Sequence, residues 1–421
     1  MGFDYICHKI THPMKRIIVL LVILFVSAIS LAAQTDSVRL GYVVRGRVTD
    51  LSSGKPIESA HVSVPGRHHA TVTNEDGDFS IKSDAPIREL IFSYVGYRTV
   101  RQRIGSDPVQ VVMVPESILL EEALIVSGDP AQIVQAAVSL IPDNYSPKPE
   151  LLECFYRETV RKRQRFTYIS EAVARIYKSP YDRGSVYRDR AALEKSRILL
   201  SQRRSDTLSI KMMGGPTQAI TQDVVKNSDI LFDPDELNLY HFEMATPVHM
   251  DGRTQFVIRL TPKTECDYAL YHGTLYIDRE TLAFSRIELS LDMSDKGKAT
   301  RMMLVRKPLT LRFTPRELSL IINYRWDGEK YRLEYFRSTL RFNCDWKRRL
   351  FATAYTVVNE LVVTDVRPEA TPIARQEMFR TTDILDEKAG EFLDPDFWAD
   401  YNIIEPSESL EHAIERLKKR R

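Results

Sequence analysis

The sequence is poor in cysteine and has no excess of charge of either sign. Four of the 421 residues are cysteine, and 59 lysine and arginine residues are balanced by 57 aspartate and glutamate residues. This balance argues against a polybasic nucleic-acid-binding protein and against an acidic solvating tail. The 17 glycine and 21 proline residues are too few for collagen or a low-complexity chain. Because 43% of the residues are hydrophobic, we expect a folded protein of two or three domains.

Long apolar runs are also lacking, with one exception near the N-terminus. Lys15 and Arg16 precede an apolar run over residues 17–29, which is followed by small residues and a polar break. That order is typical of a secretory signal peptide. We therefore predict a signal peptide over residues 1–33. The alternative, a retained membrane anchor, needs about 20 apolar residues.

The expected export fixes the compartment only coarsely. Met14 is an alternative start, because residues 1–13 add nothing to the signal. No cysteine directly follows the apolar run, so a lipid anchor there has no acceptor. We predict a mature chain in the periplasm or associated with the outer membrane, without a transmembrane span of its own.

The three cysteines beyond this segment lie far apart in the chain. Cys154, Cys266 and Cys344 allow at most one internal disulfide and one unpaired thiol, or they are buried as small hydrophobic residues. Neither a C-x-x-C motif nor a Cys/His ligand spacing occurs. The pattern argues against a structural zinc site and a thioredoxin-like centre, and we expect no metal and no other cofactor.

Residues 38–116 are predicted to form a small β-sandwich. Short segments of alternating apolar and polar residues are separated by turn residues, as in half-buried antiparallel strands. Asp76 and Gly77 mark a tight hairpin, in which glycine supplies the positive φ of the turn. Seven strands are the number expected for a two-sheet sandwich, and they are predicted over residues 43–50, 60–64, 70–73, 79–82, 89–95, 98–104 and 109–114.

The same residues carry a family resemblance. Motifs that begin at Gly46, Gly54, Thr71 and Leu90 read G-x-V-x-D, G-x-P-I-x-x-A-x-V-x-V, T-x-T-x-x-D-G-x-F and L-x-F-S-Y-V-G-Y. They resemble the carboxypeptidase-regulatory-like domain, a transthyretin-like sandwich common at the N-termini of Gram-negative envelope proteins. Members of that family are non-catalytic, so the resemblance implies a folding, spacer or docking module. The transporter barrel that follows this domain in some outer-membrane proteins has some 22 strands, and the remaining chain is too short for it.

Residues 117–149 are predicted to hold a helix and a linker, and residues 150–405 an antiparallel sheet. An apolar stripe over residues 129–141 indicates the helix, which Pro142 ends. Beyond the linker, alternating strands joined by short hairpins predict a curved meander of about eight to ten strands. Eight are identified, over residues 155–161, 165–177, 255–261, 273–278, 283–292, 317–327, 330–343 and 350–366. The fold is therefore expected to be mainly β, with flanking helices.

Two further resemblances lie in this region. The hairpin pattern from Thr274 to Glu288 resembles the lipoprotein-carrier-like half-barrels, in which a concave sheet holds an acyl chain or a partner peptide. The segments F-Y-R-E from Phe155 and D-F-W from Asp396 are similar to uncharacterised exported proteins that carry the regulatory-like sandwich in front. The second family offers no established chemistry.

A C-terminal helix is predicted over residues 406–421. Leu410, Ile414 and Leu417 form an apolar stripe that we expect to pack on the sheet. The basic residues 418–421 favour the negative end of the helix dipole. A cluster of this kind can also contact anionic lipid, so membrane association remains an alternative.

Short motifs that resemble catalytic sites stand in unsuitable surroundings. His412 and Glu415 form the H-x-x-E half of a zinc site, but no histidine follows to supply the third ligand. Ser52 and Lys55 fit S-x-x-K, yet they lie in a turn of the sandwich without a shielded pocket. We interpret the first as a solvated helix face and the second as a turn.

Residues that resemble cation ligands are likewise interpreted as structural. Asn74, Asp76 and Asp78 resemble the start of a calcium loop, but Gly77 interrupts the pattern and no glutamate stands at its twelfth position. His68 and His69 are adjacent, so strand alternation would point their side chains apart.

Two carboxylates lie on predicted strands that can pair with each other in the sheet. Glu158 and Glu171 could face each other across the sheet as an acid/base pair. Arg157, Arg161 and Arg175 lie nearby in the sequence, and we predict cross-strand ion pairs instead.

These residues lead to a functional prediction without an assigned catalytic, cofactor or metal residue. We predict a non-enzymatic exported envelope protein. Its sandwich is expected to serve as a docking or spacer module, and its sheet domain to bind an apolar ligand, an envelope polymer or a partner protein. The alternative is a hydrolase acting on cell-wall or peptide substrates. An apolar concave face would favour the binding protein, and a cleft with two carboxylates or a Ser/His pair would favour the hydrolase.

Overall fold

The computed structural model describes most of the chain beyond the N-terminal forty residues. The described residues are 41–105, 108–116, 128–182, 186–201, 203, 213–304, 310–346, 352–368, 370–388, 390–391, 397–398 and 400–419. The predicted signal peptide and most of the segment between the sandwich and the first helix lie outside them.

The N-terminal part is a two-sheet β-sandwich, as predicted. One sheet has the strand order β4-β1-β7 and the other β3-β2-β5-β6. Apolar side chains from both sheets, including Phe79, Leu90 and Phe92, fill the space between them. The strand bounds are β1 Tyr42–Asp50, β2 His61–Ser63, β3 Ala70–Val72, β4 Asp78–Ser83, β5 Glu89–Ser93, β6 Val100–Arg103 and β7 Val109–Met113.

The predicted hairpin before β4 is present with its turn chemistry. Gly77 has a φ of 75°, and the Asn74 side-chain oxygen accepts hydrogen bonds from the backbone N–H groups of Asp76 and Asp78, both at 2.9 Å. The polar residues that resemble a calcium loop therefore build the turn itself.

The second part is one large antiparallel sheet that does not close on itself. Its strand order is β11-β12-β13-β14-β15-β16-β17-β8-β9-β10-β18, and only the two-residue β18 is parallel to its neighbour. The bounds are β8 Glu150–Lys162, β9 Arg165–Lys178, β10 Arg190–Leu200, β11 Tyr240–Met250, β12 Arg253–Pro262, β13 Tyr271–Asp278, β14 Phe284–Leu291, β15 Leu311–Trp326, β16 Tyr331–Trp346, β17 Thr353–Pro368 and β18 Gly390–Glu391.

The strand order corrects the expectation of a simple meander. The sheet consists of two antiparallel runs, β8–β10 and β11–β17, which join where β17 pairs with β8. The chain must therefore cross from β10 to β11, at the opposite end of the sheet. We call residues 213–239, the described part of this connection, the crossover segment. Strands β10 and β11 were missing from the sequence prediction.

Helices flank the sheet, as expected. The first, α1, has Asp129 as its N-cap, and the last, α7, has Ser407. Both cap side chains accept a hydrogen bond from a backbone N–H of the first turn, which satisfies one of the donors that a helix start leaves unpaired. The helix bounds are α1 Pro130–Ser139, α2 Ile141–Asn144, α3 Gly215–Thr221, α4 Pro234–Leu237, α5 Lys296–Met303, α6 Leu385–Lys388 and α7 Glu408–Lys418.

Both faces of the sheet are covered by other parts of the chain. On one face, β8 residues such as Cys154 and Tyr156 share the main core with α1 and with crossover residues such as Ile220 and Phe232. On the other face, Phe155 contacts a cluster that includes Val72 of the sandwich and residues near the C-terminus. Successive strand residues point to opposite faces, so each strand contributes to both layers.

The C-terminal segment lies between the sandwich and the sheet. Residues 400–407, which we call the strap, precede α7. The Thr71 hydroxyl donates to the Ile403 carbonyl at 2.8 Å, and the Lys82 backbone N–H donates to the Asn402 side chain at 2.7 Å. Arg157 of β8 donates to the Ile404 carbonyl at 2.6 Å. The strap is thus hydrogen-bonded to both the sandwich and the sheet, and the apolar stripe of α7 packs on β9 and β10, as predicted.

Glu171 is the charged centre of this layer. Its carboxylate contacts Arg157 and Arg197, both at 2.8 Å, and accepts a hydrogen bond from the Trp398 indole at 3.2 Å. Only 1% of the Glu171 side chain is exposed. Burial by itself raises the pKa of Glu171, but the two guanidinium charges outweigh it and hold the pKa below its ordinary value. Arg157 and Glu171 thus form an ion pair across β8 and β9, the kind of contact that the sequence predicted for these strands.

The close packing of the sandwich predicts that adding a side chain at Gly46 destabilises the protein. A Cβ there would collide with the Val109 carbonyl and lie 2.8 Å from the Phe79 ring. We expect Gly46→Ala to lower the free energy of unfolding by about 1–3 kcal/mol, because backbone cannot yield to the added methyl. Gly105→Ala, where a Cβ meets nothing within 4 Å, is the matched control in urea denaturation. Equal stabilities of the two variants would contradict the packing.

The buried position of Glu171 predicts a loss of stability in Glu171→Gln. We expect about 3–5 kcal/mol at neutral pH, because the buried guanidinium of Arg157 and the half-buried guanidinium of Arg197 lose their carboxylate. Since the folded pKa of Glu171 is depressed, this contribution is present above the unfolded pKa and is lost as the pH falls through the folded pKa. The difference between wild type and variant should therefore shrink on acidification below about pH 4.

The control for this prediction is an ion pair at the surface. Glu75 contacts Arg161 at 2.8 Å, with both side chains at least 30% exposed. Glu75→Gln should cost less than about 1 kcal/mol. A comparable loss in both variants, measured by urea denaturation, would refute the special role of Glu171.

Candidate functional site

The motifs that resemble catalytic sites lie apart from one another and at the surface. His412 and Glu415 are exposed on α7, and Ser52 and Lys55 are exposed in the turn after β1. His69 lies 3.5 Å from the Asp84 carboxylate. Among the residues that the structure describes, no group of three or more His, Cys, Asp or Glu side chains is arranged to hold a metal ion.

The carboxylates on β8 and β9 make separate contacts. Glu171 binds the two arginines described above, whereas Glu158 accepts a hydrogen bond from the Tyr156 hydroxyl at 3.1 Å. Arg161 pairs with Glu75 and Arg175 with Glu377. The predicted cross-strand ion pair is therefore present between Arg157 and Glu171, whereas the carboxylates that pair with Arg161 and Arg175 lie outside β8 and β9.

The three cysteines are unpaired thiols. Cys154 and Cys344 are buried, and Cys266 is half-buried. Of the two alternatives left open by the sequence, the structure has the small hydrophobic residues and not the disulfide. Burial raises the pKa of Cys344 to about 11, which leaves this thiol unreactive at neutral pH.

A cluster of four charges lies buried between the sheet and the crossover segment. Lys178, at the end of β9, contacts Asp223 at 2.6 Å and Asp189 at 3.0 Å. Lys226 contacts Asp189 at 2.7 Å. All four side chains are at most 3% exposed. We call these residues the charge cluster.

Hydroxyl groups add hydrogen bonds to the charge cluster. Tyr324 and Tyr181 donate to the two oxygens of Asp223, at 2.6 and 2.9 Å. Ser179 donates to Asp189 at 2.8 Å. With two ammonium groups, two carboxylates and these hydroxyls, the buried charges are balanced and paired, as burial requires.

The two lysines of the cluster differ in their electrostatic surroundings. Burial by itself lowers the pKa of Lys178, but the carboxylates of Asp189 and Asp223 outweigh it and raise the pKa. For Lys226, burial and the neighbouring Lys178 charge prevail, and the pKa is lowered to about 8. Of the two lysines, Lys226 therefore loses its proton first as the pH rises.

A cavity of about 370 Å³ opens beside the charge cluster. It lies between α1 and α2 on one side and the second half of the crossover segment on the other. Its apolar lining comes from Val138, Ile141, Val225, Phe232 and Leu237. The polar lining includes Lys226 and Tyr181 at the cluster and Gln135, Ser139, Asp182, Ser228, Asp233 and Asn238. A concave space lined by both apolar and polar side chains can hold a small molecule that carries both kinds of group.

Ser179 and Lys226 are the residues closest to a nucleophile and base. Lys226 Nζ lies 3.1 Å from Ser179 Oγ, within the reach expected of a catalytic pair. However, the Ser179 side chain is buried and does not line the cavity, and its hydroxyl donates to Asp189. The arrangement favours a structural role for this serine.

Sequence reasoning missed the cavity and the charge cluster. Lys178 and Asp223 are 45 residues apart, and no spacing rule connects them. The sequence held one indirect indication: the apolar residues of the segment 213–239 follow neither the alternation of a strand nor the periodicity of a long helix. Such a segment contributes to a core only when the fold lays it on a sheet.

Comparison with known proteins identifies the sandwich. Residues 44–125 match the family described as the CarboxypepD_reg-like domain, which confirms the resemblance drawn from the motifs. No curated protein matches the chain.

Several solved structures resemble the larger part of the chain at low similarity. A domain named for outer-membrane lipoprotein sorting, from Vibrio parahaemolyticus, is 11% identical with a TM-score of 0.25, covering 59% of this chain and 94% of its own. A LolA superfamily protein from Nitrosomonas europaea is 15% identical with a TM-score of 0.21, covering 58% and 96%. A membrane-associated protein of unknown function from Bacteroides fragilis is 8% identical with a TM-score of 0.15, covering 77% and 98%. Similarities this low carry no argument about function.

A search of the described helices for membrane spans gave none of sufficient length and apolarity.

The lowered pKa of Lys226 predicts an unusual pH dependence. Between pH 8 and about 10.4 the unfolded chain holds this proton more tightly than the folded protein, so the contribution of Lys226 to stability rises with pH. The free energy of unfolding of wild type minus that of Lys226→Met should increase by about 1–3 kcal/mol between pH 7.5 and 10. Urea denaturation at several pH values measures it, with the exposed Lys55→Met as control. A difference that stays flat or falls would contradict the assignment.

Proposed function

We propose that this chain is an exported, non-enzymatic binding protein of the cell envelope, whose sheet domain holds a small apolar ligand in the cavity between α1 and the crossover segment. The cavity is the observation that carries the proposal. Its volume of about 370 Å³ falls in the range of small-molecule sites, and both apolar and polar side chains line it.

The ligand space is narrower than an open concave sheet would offer. The crossover segment and α1 cover one face of the sheet, and the strap, α7 and the sandwich cover the other. An apolar ligand that reached the sheet face would have to displace buried side chains such as Phe232 and Ile220. The unfilled space beside these side chains is therefore the better-supported location.

The sandwich is proposed as a docking or spacer module in a fixed position. His61 of β2 contacts Glu334 of β16 at 2.9 Å, and Ser59 lies 3.2 Å from the Tyr335 hydroxyl. Together with the strap, these contacts support a sandwich that moves with the sheet domain. A partner in the envelope, whether protein, lipid or polymer, would then be held at a set distance from the cavity.

Export is proposed from the sequence. The basic, apolar and small-residue order of residues 1–33 supports a cleaved signal peptide. The periplasm and the outer membrane remain the two proposed locations, and association with a membrane would rest on the helix-terminal basic residues.

Filling the cavity should abolish ligand binding. The uncharged probe 1-N-phenylnaphthylamine, followed by fluorescence, tests binding directly. We expect Val138→Trp, on the cavity side of α1, to weaken probe binding at least about tenfold, since the indole occupies the apolar space. Val112→Trp, at an exposed position of β7, is the matched control and should bind as wild type does. Absence of probe binding by the wild type, or equal binding by both variants, would refute the cavity as the site.

The same protein preparations test the hydrolase alternative. Ester and peptidoglycan substrates should remain intact in the presence of the wild type. Hydrolysis that disappears in Ser179→Ala would favour the alternative, because Ser179 and Lys226 form the best-placed nucleophile and base in the described residues.

A further inference from the structure

We propose that the cavity selects a cationic amphiphile, an apolar chain or ring system that ends in an amine. The inference rests on the proposed function and names the chemical class of the ligand. It depends on two features of the cavity: what its one lysine is already bonded to, and which charges surround the mouth.

Lys226 is the only basic residue among the described residues that line the cavity, and its ammonium is fully engaged. An ammonium group has three N–H donors. Lys226 donates to the Asp189 carboxylate at 2.7 Å, to the Ser179 hydroxyl at 3.1 Å and to the Ser179 carbonyl. A ligand carboxylate or phosphate would have to break one of these buried bonds. The lysine that would suggest an anion site therefore has no donor left for an anion.

The polar groups at the mouth carry the opposite charge. Asp182 is exposed and lies 3.6 Å from Arg188, and Asp233 is half-buried at the start of α4. One Asp233 oxygen, Oδ1, accepts from the Asp235 backbone at 2.9 Å. Both carboxylates line the cavity, together with the neutral hydrogen-bonding groups of Gln135 and Asn238, so an amine in this part of the cavity would have acidic groups nearby.

The charges beneath the cavity add to this preference. The charge cluster contributes two ammonium groups and two carboxylates, which balance each other at neutral pH. The rim contributes Asp182 and Asp233, and the guanidinium of Arg188 offsets part of their charge. Summed over these described residues the charge is negative, and in a partly desolvated space this favours a cation over an anion of the same shape.

A series of three ligands with one chain length separates charge from apolar burial. Decylamine, decanol and decanoate, used below their micelle concentrations, compete with 1-N-phenylnaphthylamine at pH 7 and low salt. We expect the order decylamine, decanol, decanoate, with decylamine at least about tenfold tighter than decanoate. The preference should weaken as salt is raised, because the rim charges are exposed and screened. Decanoate binding as tightly as decylamine would overturn the proposal.

A double variant locates the preference. Asp182→Asn with Asp233→Asn removes both rim charges and keeps the shape of the side chains, and asparagine can still cap α4. Decylamine should lose at least about fivefold in affinity, while decanol should bind as before. A preference for the amine that survives in this variant would refute the role of the rim.

The ligand series also separates this inference from the proposed function. Decanol binding with no preference for decylamine would leave the apolar cavity standing and remove the charge selectivity. Failure of all three ligands to compete, or of the probe to bind, would remove the proposed function itself.

Discussion

Four buried charges hold the crossover segment on the sheet. Lys178 and Asp189 belong to the end of β9 and the approach to β10, whereas Asp223 and Lys226 belong to the crossover segment. Transfer of these groups from water is costly, and their mutual pairing offsets much of the cost. The path of the chain across the sheet is thus tied to one arrangement, and the cavity beside α1 follows from that path.

Buried ion pairs also lie on the opposite face of the sheet, where they hold the strap. Glu171 holds Arg157 and Arg197 in place, and Arg157 in turn holds the strap through the Ile404 carbonyl. Since the strap also bonds to the sandwich, one buried carboxylate connects β8, β9, β10 and the C-terminus. The sheet therefore separates the layer of the sandwich, the strap and α7 from the layer that contains the cavity.

Short-range sequence patterns predicted those parts of the fold that depend on residues close together in the chain. The hairpin at Gly77 and the alternation of the sandwich strands depend on neighbours in the chain, and both were found. Strands β10 and β11 were missed for a physical reason. They flank the crossover segment, and β11 contains Pro247 and a register shift between Ala245 and Val248, which breaks the alternation that identifies a strand.

The sequence by itself determined a mainly β protein with an N-terminal sandwich of a recognisable family, because turn residues and two-residue alternation act over short distances. It also predicted that ion pairs form across β8 and β9, as Arg157 and Glu171 do, but the partners of Arg161 and Arg175 lie outside these strands. Only the tertiary structure decided that the sheet faces are covered, that four distant charged residues meet in the interior, and that a cavity remains beside them. From sequence alone, charged residues are expected to lie in water. Whether they are buried instead depends on contacts between segments that are far apart in the chain.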